Sequence, residues 1–191
     1  MNLSGCLHLQ RMPLTGTWYR AIQPQHWPTQ DPHALYMYTR VIPSRFSAGD
    51  DQFTLLYFGE NHLVALFEVR ALLGSLIQPI PQPHQTWVTL NATIRLQSIV
   101  DLSQATEQDK INTTTQELTG AWTGSPPPSQ LVPTQELGQA LYAEPDIEGF
   151  FTISAQVPYY KILIIFPEKL QPGSFVSIPS PDGRSSLIIR P

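Results

Sequence analysis

Two charged side chains stand among apolar neighbours in the stretch 44–69, "SRFSAGDDQFTLLYFGENHLVALFEV". Arg45 follows Pro43-Ser44 and precedes a run of strand formers, and Glu68 lies in an apolar run with helical spacing. One helical turn from Glu68 are Val64, Ala65, Ala71 and Leu72, all apolar. A carboxylate on such a face is stripped of water, so it needs a cation, hydrogen bonds or a raised pKa. Two chemistries fit. One is a structural salt bridge, to Arg70 or to an arginine on a strand. The other is a carboxylate aimed into a pocket. Arg45 is open in the same way: its stem can lie along apolar surface with the head in water, or its fork can meet a ligand phosphate above the strand. Of 11 basic residues 8 are arginine and 3 lysine. A guanidinium grips phosphate or carboxylate with two parallel bonds, which an ammonium cannot do.

Other chemistries find little support. The five histidines, at 8, 26, 33, 62 and 84, show no HxH or HExxH spacing, so no metal site is expected. No G-x-S-x-G, G-x-G-x-x-G or Walker A motif occurs. Trp18 and Trp87 read as core. The chain of 191 residues has a net charge of −4 with no basic stripe, which argues against nucleic-acid binding. Its single cysteine, Cys6, forms no intrachain disulfide and fits a reducing compartment. The first residues, "MNLSGCLHLQRMPLTG", lack a signal-peptide core. No apolar run nears the roughly 20 residues of a membrane span. The expectation is a soluble, cytoplasmic protein with no membrane partner.

The elements that must carry these residues follow from pattern. "TWYRAI" at 17–22 reads as a strand, and 23–43 as a loop with a short element inside. "QFTLLYF" at 52–58 reads as a strand buried on both faces and ended by Gly59. Asn61 then caps a helix over about 62–73, stopped by Gly74. Residues 86–99 alternate, with Val88, Leu90, Ala92, Ile94 and Leu96 on one face. Asp101 or Ser103 caps a short helix, with Gln104 closing a box on Asp101. "GSPPPS" at 124–129 is a surface loop, and 134–143 a helix capped by Thr134. "GFFTIS" and "KILIIF" are strands, and the tail is a strand pair turning at Pro181-Asp182-Gly183. Short strands with few helices and no regular βαβ alternation indicate an α+β fold.

Four ordered segments resemble the RES domain family. "WYRAI" places Arg20 on the family's early "YR". The 44–69 stretch is similar to its "RF-x-P…F-x-x-LY-x-A…A-x-x-E" form and carries Arg45, Tyr57 and Glu68. "SIVDLSQ" at 98–104 looks like its "V-DL-T", and "PTQELGQALYAEPDIEGFFTISAQVPYYKILIIFPE" resembles its "TQ-x-L-G…DG-I-x-x-S-A-R…N-x-x-x-F", placing the serine at Ser154. The match spans about 18–168. The "GGRWN" form is absent, with Phe46 and Ser47 at the Trp and Asn positions, Gln156 where arginine is common, and Glu148-Gly149 for Asp-Gly. The organisation expected is an N-terminal extension (1–16), a RES-like catalytic domain (17–170) and a C-terminal strand pair or appendage (171–191).

The resemblance implies an ADP-ribosyltransferase-like mixed fold and a toxin of a bacterial toxin–antitoxin pair, with a protein antitoxin as partner. It implies an NAD⁺ phosphorylase or glycohydrolase: NAD⁺ is substrate rather than cofactor, with phosphate as a co-substrate in phosphorolysis. Glu68 would stabilise positive charge on the ribose as nicotinamide leaves. Arg20 and Arg45 would hold the pyrophosphate or the attacking phosphate, Tyr57 would contact nicotinamide or its ribose, and Ser154 would bond the ribose or orient the nucleophile. Two alternatives stand beside this: ADP-ribosyl transfer to a macromolecule, and an NAD-binding module without turnover. Structural readings also remain for each residue, including an Arg20–Glu68 bridge and Tyr57 as core.

Overall fold

A computed structural model describes residues 1–27, 35–83, 86–122, 131–180 and 185–191, apart from the side chain of Tyr38. The loop expected at 124–129, the tail turn at 181–183, His33 and His84 lie outside the described residues. Nine strands occur among them: β1 Met12–Ile22, β2 Leu56–Gly59, β3 Leu72–Gly74, β4 Pro79–Pro81, β5 Val88–Asp101, β6 Gly149–Ile153, β7 Lys161–Ile165, β8 Phe175–Pro179 and β9 Ser186–Ile189. The helices are α1 His62–Glu68, α2 Ala105–Lys110, α3 Thr115–Thr119 and α4 Pro133–Ala143. The fold is α+β, as expected.

The alternation read in the sequence produces β5, one strand of 14 residues. Leu90, Ala92, Ile94 and Leu96 are buried while Asn91, Thr93, Arg95 and Gln97 face out. β5 pairs antiparallel with β1, from Met12↔Ile99 to Ile22↔Val88. It pairs parallel with β6 and antiparallel with β8. β7 joins β6 to β2. One register pair, Tyr19↔Gly59, links β1 to β2 and closes β1, β2, β7, β6 and β5 into a ring. β8 and β9 continue the sheet from β5, and their Val176, Ile178 and Ile189 are buried in its core.

Period-2 sorting splits the apolar residues between two cores. On one sheet face Trp18, Phe58, Phe151, Leu163 and Ile165 pack with the β5 set, Trp18 stacking on Phe151 at 5.0 Å between centroids. On the other, Phe150, Ile162 and Ile164 meet Val64 and Phe67 of α1 and Leu137 and Leu141 of α4. Cys6, from the N-terminal turn Leu3–His8, and Leu9, which ends it, are buried in this second core. Burial pushes the Cys6 thiol up to about 11, with Glu144 adding to the rise, so it is an unreactive core residue.

Several boundaries differ from expectation. β2 is shorter: Phe53, Thr54 and Leu55 are buried but lie outside the ladder. α2 follows Gln104, which makes no side-chain cap. The Asp101 carboxylate instead accepts from the Ser103 N–H at 3.0 Å and from Gln104 Nε2 at 3.4 Å, fixing the turn before the helix. α4 starts at Pro133 after Val132 rather than being capped by Thr134, and Gln135 Oε1 accepts from the Val132 N–H at 3.3 Å. The N–H of a proline is missing at a position where helices leave it unused, so Pro133 opens the helix well.

The largest difference is at the end of α1. Asn61 caps it as expected, its Oδ1 accepting from the Val64 N–H at 3.0 Å. The helix then stops at Glu68, not near Gly74. The Ala71 N–H bonds the Leu66 carbonyl at 2.9 Å and the Arg70 N–H bonds that of Phe67 at 2.9 Å, the paired bonds of a Schellman ending. Such endings place a residue in the left-handed region, normally glycine. Here it is Arg70, at φ 56°. For an L-residue that conformation costs roughly 1–2 kcal/mol. The chain turns back into β3, paired with β4, and Gly74 sits in that hairpin at φ 85°.

Candidate active site

The open ends of β1 and β2, the end of α1 and the loop after β6 surround a cavity of about 1390 Å³. Four of the five residues singled out from sequence line it: Arg20, Arg45, Tyr57 and Glu68. The fifth, Ser154, lies behind the wall and is 1% exposed.

Glu68 is the last residue of α1. Val64, Ala65 and Phe67 of this helix are buried, Val64 and Ala65 one turn before the carboxylate, and Val64 and Phe67 each contribute about 1.5–3 kcal/mol to holding the helix down. Gly59 lets β2 approach: a Cβ there would lie 2.7 Å from the Ala65 backbone nitrogen. The carboxylate is half-buried and accepts a hydrogen bond at Oε1 from the Ser154 hydroxyl. Burial pushes its pKa above the ordinary carboxylate range; the Ser154 bond, the Arg45 charge and the Gln156 N–H pull it back only in part. The C-terminus of a helix is also the wrong end for an anion. Among the described residues Glu68 has no ion pair, so the salt bridge to Arg70 is not made.

Ser154 is fully committed. A hydroxyl has one proton to donate and two lone pairs. The proton goes to Glu68, and the lone pairs take the Gln156 N–H at 3.2 Å and the Val157 N–H at 2.9 Å. The loop after β6 is thereby fastened to the carboxylate. No capacity remains for the ligand contact expected of this serine.

Arg45 sits on a tight turn in which the Ser44 N–H bonds the Ser47 carbonyl at 2.8 Å. Phe46 anchors the turn in the core, edge-on to Phe150 at 5.1 Å. α4 grips it from outside: Gln135 Nε2 donates to the carbonyls of Ser44 at 3.1 Å and Ser47 at 3.2 Å. At Gly138 a Cβ would run into the Phe46 carbonyl oxygen, so only glycine lets α4 come this close. The "TQELG" segment thus works as a clamp on the Arg45 turn. The Arg45 guanidinium lines the cavity but donates through Nη1 to the carbonyls of Leu118, at 3.3 Å, and Gly120. It caps the C-terminus of α3, where carbonyls lack partners and a cation is favoured. Its charge also reaches Glu68 across the cavity.

Arg20 is 7% exposed and donates from Nη1 to the Tyr57 carbonyl at 2.9 Å and from Nη2 to the Leu35 carbonyl at 3.2 Å. The Tyr57 hydroxyl shares a 2.8 Å hydrogen bond with the Ser44 hydroxyl, and burial raises its pKa so that it stays a neutral phenol. The two arginines expected to hold phosphate therefore also hold the backbone.

Reasoning from sequence missed part of the wall. Trp87, read as core, lines the cavity half-buried, together with Tyr19, Trp27 and Trp122. Trp18 is core, as read. Position alone distinguishes them: Trp18 lies on the inward face of β1, while Trp87 precedes β5. Gln156, at the position where arginine is common, also faces the cavity. Among the described residues no group of histidine, cysteine or carboxylate side chains could hold a metal, and no helix is long and apolar enough to cross a membrane.

The arrangement offers a partly desolvated carboxylate on the wall of a large cavity, rimmed by aromatic rings and arginines. It can bind a flat, elongated, anionic ligand and place a negative charge beside one of its atoms. A family model for the RES domain matches residues 17–185. No curated protein matches the chain. Among solved structures the chain is similar to one chain of the M. tuberculosis MbcT–MbcA toxin–antitoxin complex, at 12% identity and a TM-score of 0.62, over 98% of this chain and 91% of that one. At that identity the likeness shows a shared fold.

Proposed function

Because the chain belongs to the RES domain family, we propose that it cleaves the nicotinamide–ribose bond of NAD⁺, acting in the cytoplasm as the toxin of a toxin–antitoxin pair. The observation carrying this reading is Glu68: a carboxylate held on the cavity wall by Ser154, among apolar residues, with no ion pair among the described residues. The bond from the ribose anomeric carbon to the nicotinamide nitrogen breaks, and both electrons leave on the ring, which becomes neutral. Positive charge develops on the ribose ring oxygen and anomeric carbon. A fixed anion in a poorly screened site stabilises that charge more than it stabilises the ground state. An oxygen lone pair of phosphate, or of water, then forms the new bond. Phosphate yields ADP-ribose 1″-phosphate; water yields ADP-ribose and a proton.

In this reading Glu68 is the catalytic residue and Ser154 positions it. Aromatic residues at the rim, Trp87 among them, stack on the planar rings of the dinucleotide. The antitoxin is proposed from the complex in which the similar fold is found. Purified protein incubated with NAD⁺, with and without phosphate, tests the reading directly. Nicotinamide release by the wild type but not by Glu68→Gln is expected, and phosphate dependence identifies the acceptor. Label from ADP-ribose appearing on a protein acceptor instead would replace cleavage by transfer. NAD⁺ binding without release would leave a binding module.

A further inference from the structure

Three arginines line the cavity, and their commitments differ. Arg20 and Arg45 each place guanidinium N–H groups on main-chain carbonyls. Arg70 is the third. It is exposed, and among the described residues its side chain has no hydrogen bond or ion pair. It stands two residues beyond Glu68 in the chain, and both line the cavity.

Its backbone adds a second, independent observation. Arg70 occupies the left-handed position of the α1 ending, at φ 56°. Glycine is the residue that this position favours, since it has no Cβ to clash. A strained non-glycine residue whose side chain makes no compensating hydrogen bond or ion pair among the described residues points to a use for that side chain. Arg70 follows the end of α1 at Glu68, and both residues line the cavity.

The electrostatics supply the reason. The proposed reaction brings phosphate, as the pyrophosphate of the dinucleotide or as free orthophosphate, into a cavity that already holds the Glu68 carboxylate. Two anions a few ångströms apart repel strongly at low dielectric unless a cation stands between or beside them. A guanidinium with all its donors available matches the requirement, and its fork fits two phosphate oxygens at once.

We propose that Arg70 is the phosphate-binding cation of this cavity, held at the end of α1 so that its guanidinium meets the phosphate beside Glu68. The inference rests on the NAD⁺ reading only for the source of the phosphate; the anion site itself can be measured without turnover.

The test uses Arg70→Gly and Arg70→Lys in the full chain. Glycine suits the backbone here, so Arg70→Gly should melt at or above the wild-type temperature, and any loss of binding is not a folding defect. Titration calorimetry with inorganic phosphate and with pyrophosphate reads the site. At least a tenfold loss of affinity in Arg70→Gly, with Arg70→Lys between it and the wild type, supports the proposal. Steady-state kinetics then separate the sources. A raised KM for phosphate, with product shifting from ADP-ribose 1″-phosphate to ADP-ribose, assigns Arg70 to orthophosphate. A raised KM for NAD⁺ with unchanged phosphate response assigns it to the pyrophosphate. Wild-type affinity for both anions in Arg70→Gly overturns the proposal, as does a wild type that binds neither. If anion binding depends on Arg70 but the wild type releases no nicotinamide, the anion site stands and the NAD⁺ reading falls.

Discussion

Replacing Glu68 by glutamine separates charge from shape, and the structure sets two expectations. The first is kinetic. A preorganised group facing developing charge is worth about 2.7–4 kcal/mol by the effect of removing it, or about 10²–10³ in kcat. NAD⁺ affinity should change far less, because the amide fills the same space. The second is thermodynamic and has the opposite sign. Burial raises the Glu68 pKa above its ordinary 4.5. Below 4.5 the folded and unfolded chains both hold the proton, and ionisation costs nothing. As pH rises through 4.5 the unfolded chain gives up its proton first, so wild-type stability falls until the folded-state pKa is passed. Glutamine carries no such penalty, although its neutral bond from Ser154 is weaker, about 1 kcal/mol against about 1.5–3 kcal/mol for the charged one. The difference in melting temperature, variant minus wild type, should therefore grow as pH rises from below 4.5 through the folded-state pKa. Nicotinamide release and thermal melts over that range measure both. A variant turning over within about threefold of the wild type, or a melting difference that is flat with pH, would refute the reasoning.

Ser154→Ala removes a donor worth about 1.5–3 kcal/mol to the ionised carboxylate. The acid limb of its pH–rate profile should move upward, with activity recovering at higher pH; a uniform loss at all pH values would assign Ser154 to loop folding alone. Gly138→Ala drives a methyl group into the Phe46 carbonyl. The variant should lose about 1–3 kcal/mol in denaturant titration as α4 lifts from the Arg45 turn. Trp87→Ala should raise the KM for NAD⁺ without changing melting temperature, since stacking contributes about 1–3 kcal/mol per base; a large fall in melting temperature with KM unchanged would return Trp87 to the core.

The strands were legible because both signals that report them are strong here: strict alternation in β5, and short, largely apolar runs in β6 and β7 buried on two faces. α1 was overextended because its stop signal is missing. An arginine at the left-handed position carries none of the information a glycine would, and the next glycine, Gly74, lies in a hairpin. The α4 boundary slipped by one because Thr134 is a good cap by type, while Pro133 before it is the better opening residue. The candidate site was readable as residue types and not as partners. Four of the five residues named line one cavity. Hydrogen bonds to main-chain carbonyls, which occupy Arg20 and Arg45, leave no trace in side-chain spacing. Arg70 entered only as a counter-ion for Glu68, since nothing in "FEVRALLG" shows that the chain reverses there.

The closing of the ring at one register pair, Tyr19↔Gly59, has a dynamic consequence. Where a ladder would continue, the carbonyl of Tyr57 is answered by the guanidinium of Arg20 instead of a strand neighbour. A side chain with several rotatable bonds substitutes for a rigid peptide N–H, so this seam is the weakest-zippered line of the sheet. Amide exchange along β1 at Tyr19 and along β2 should be faster than in the middle of β5, which is flanked on both sides. The cavity opens along the same seam. A ligand bridging β1 and β2 there would act as a stitch, slowing exchange on both strands together and raising the temperature at which the ring comes apart.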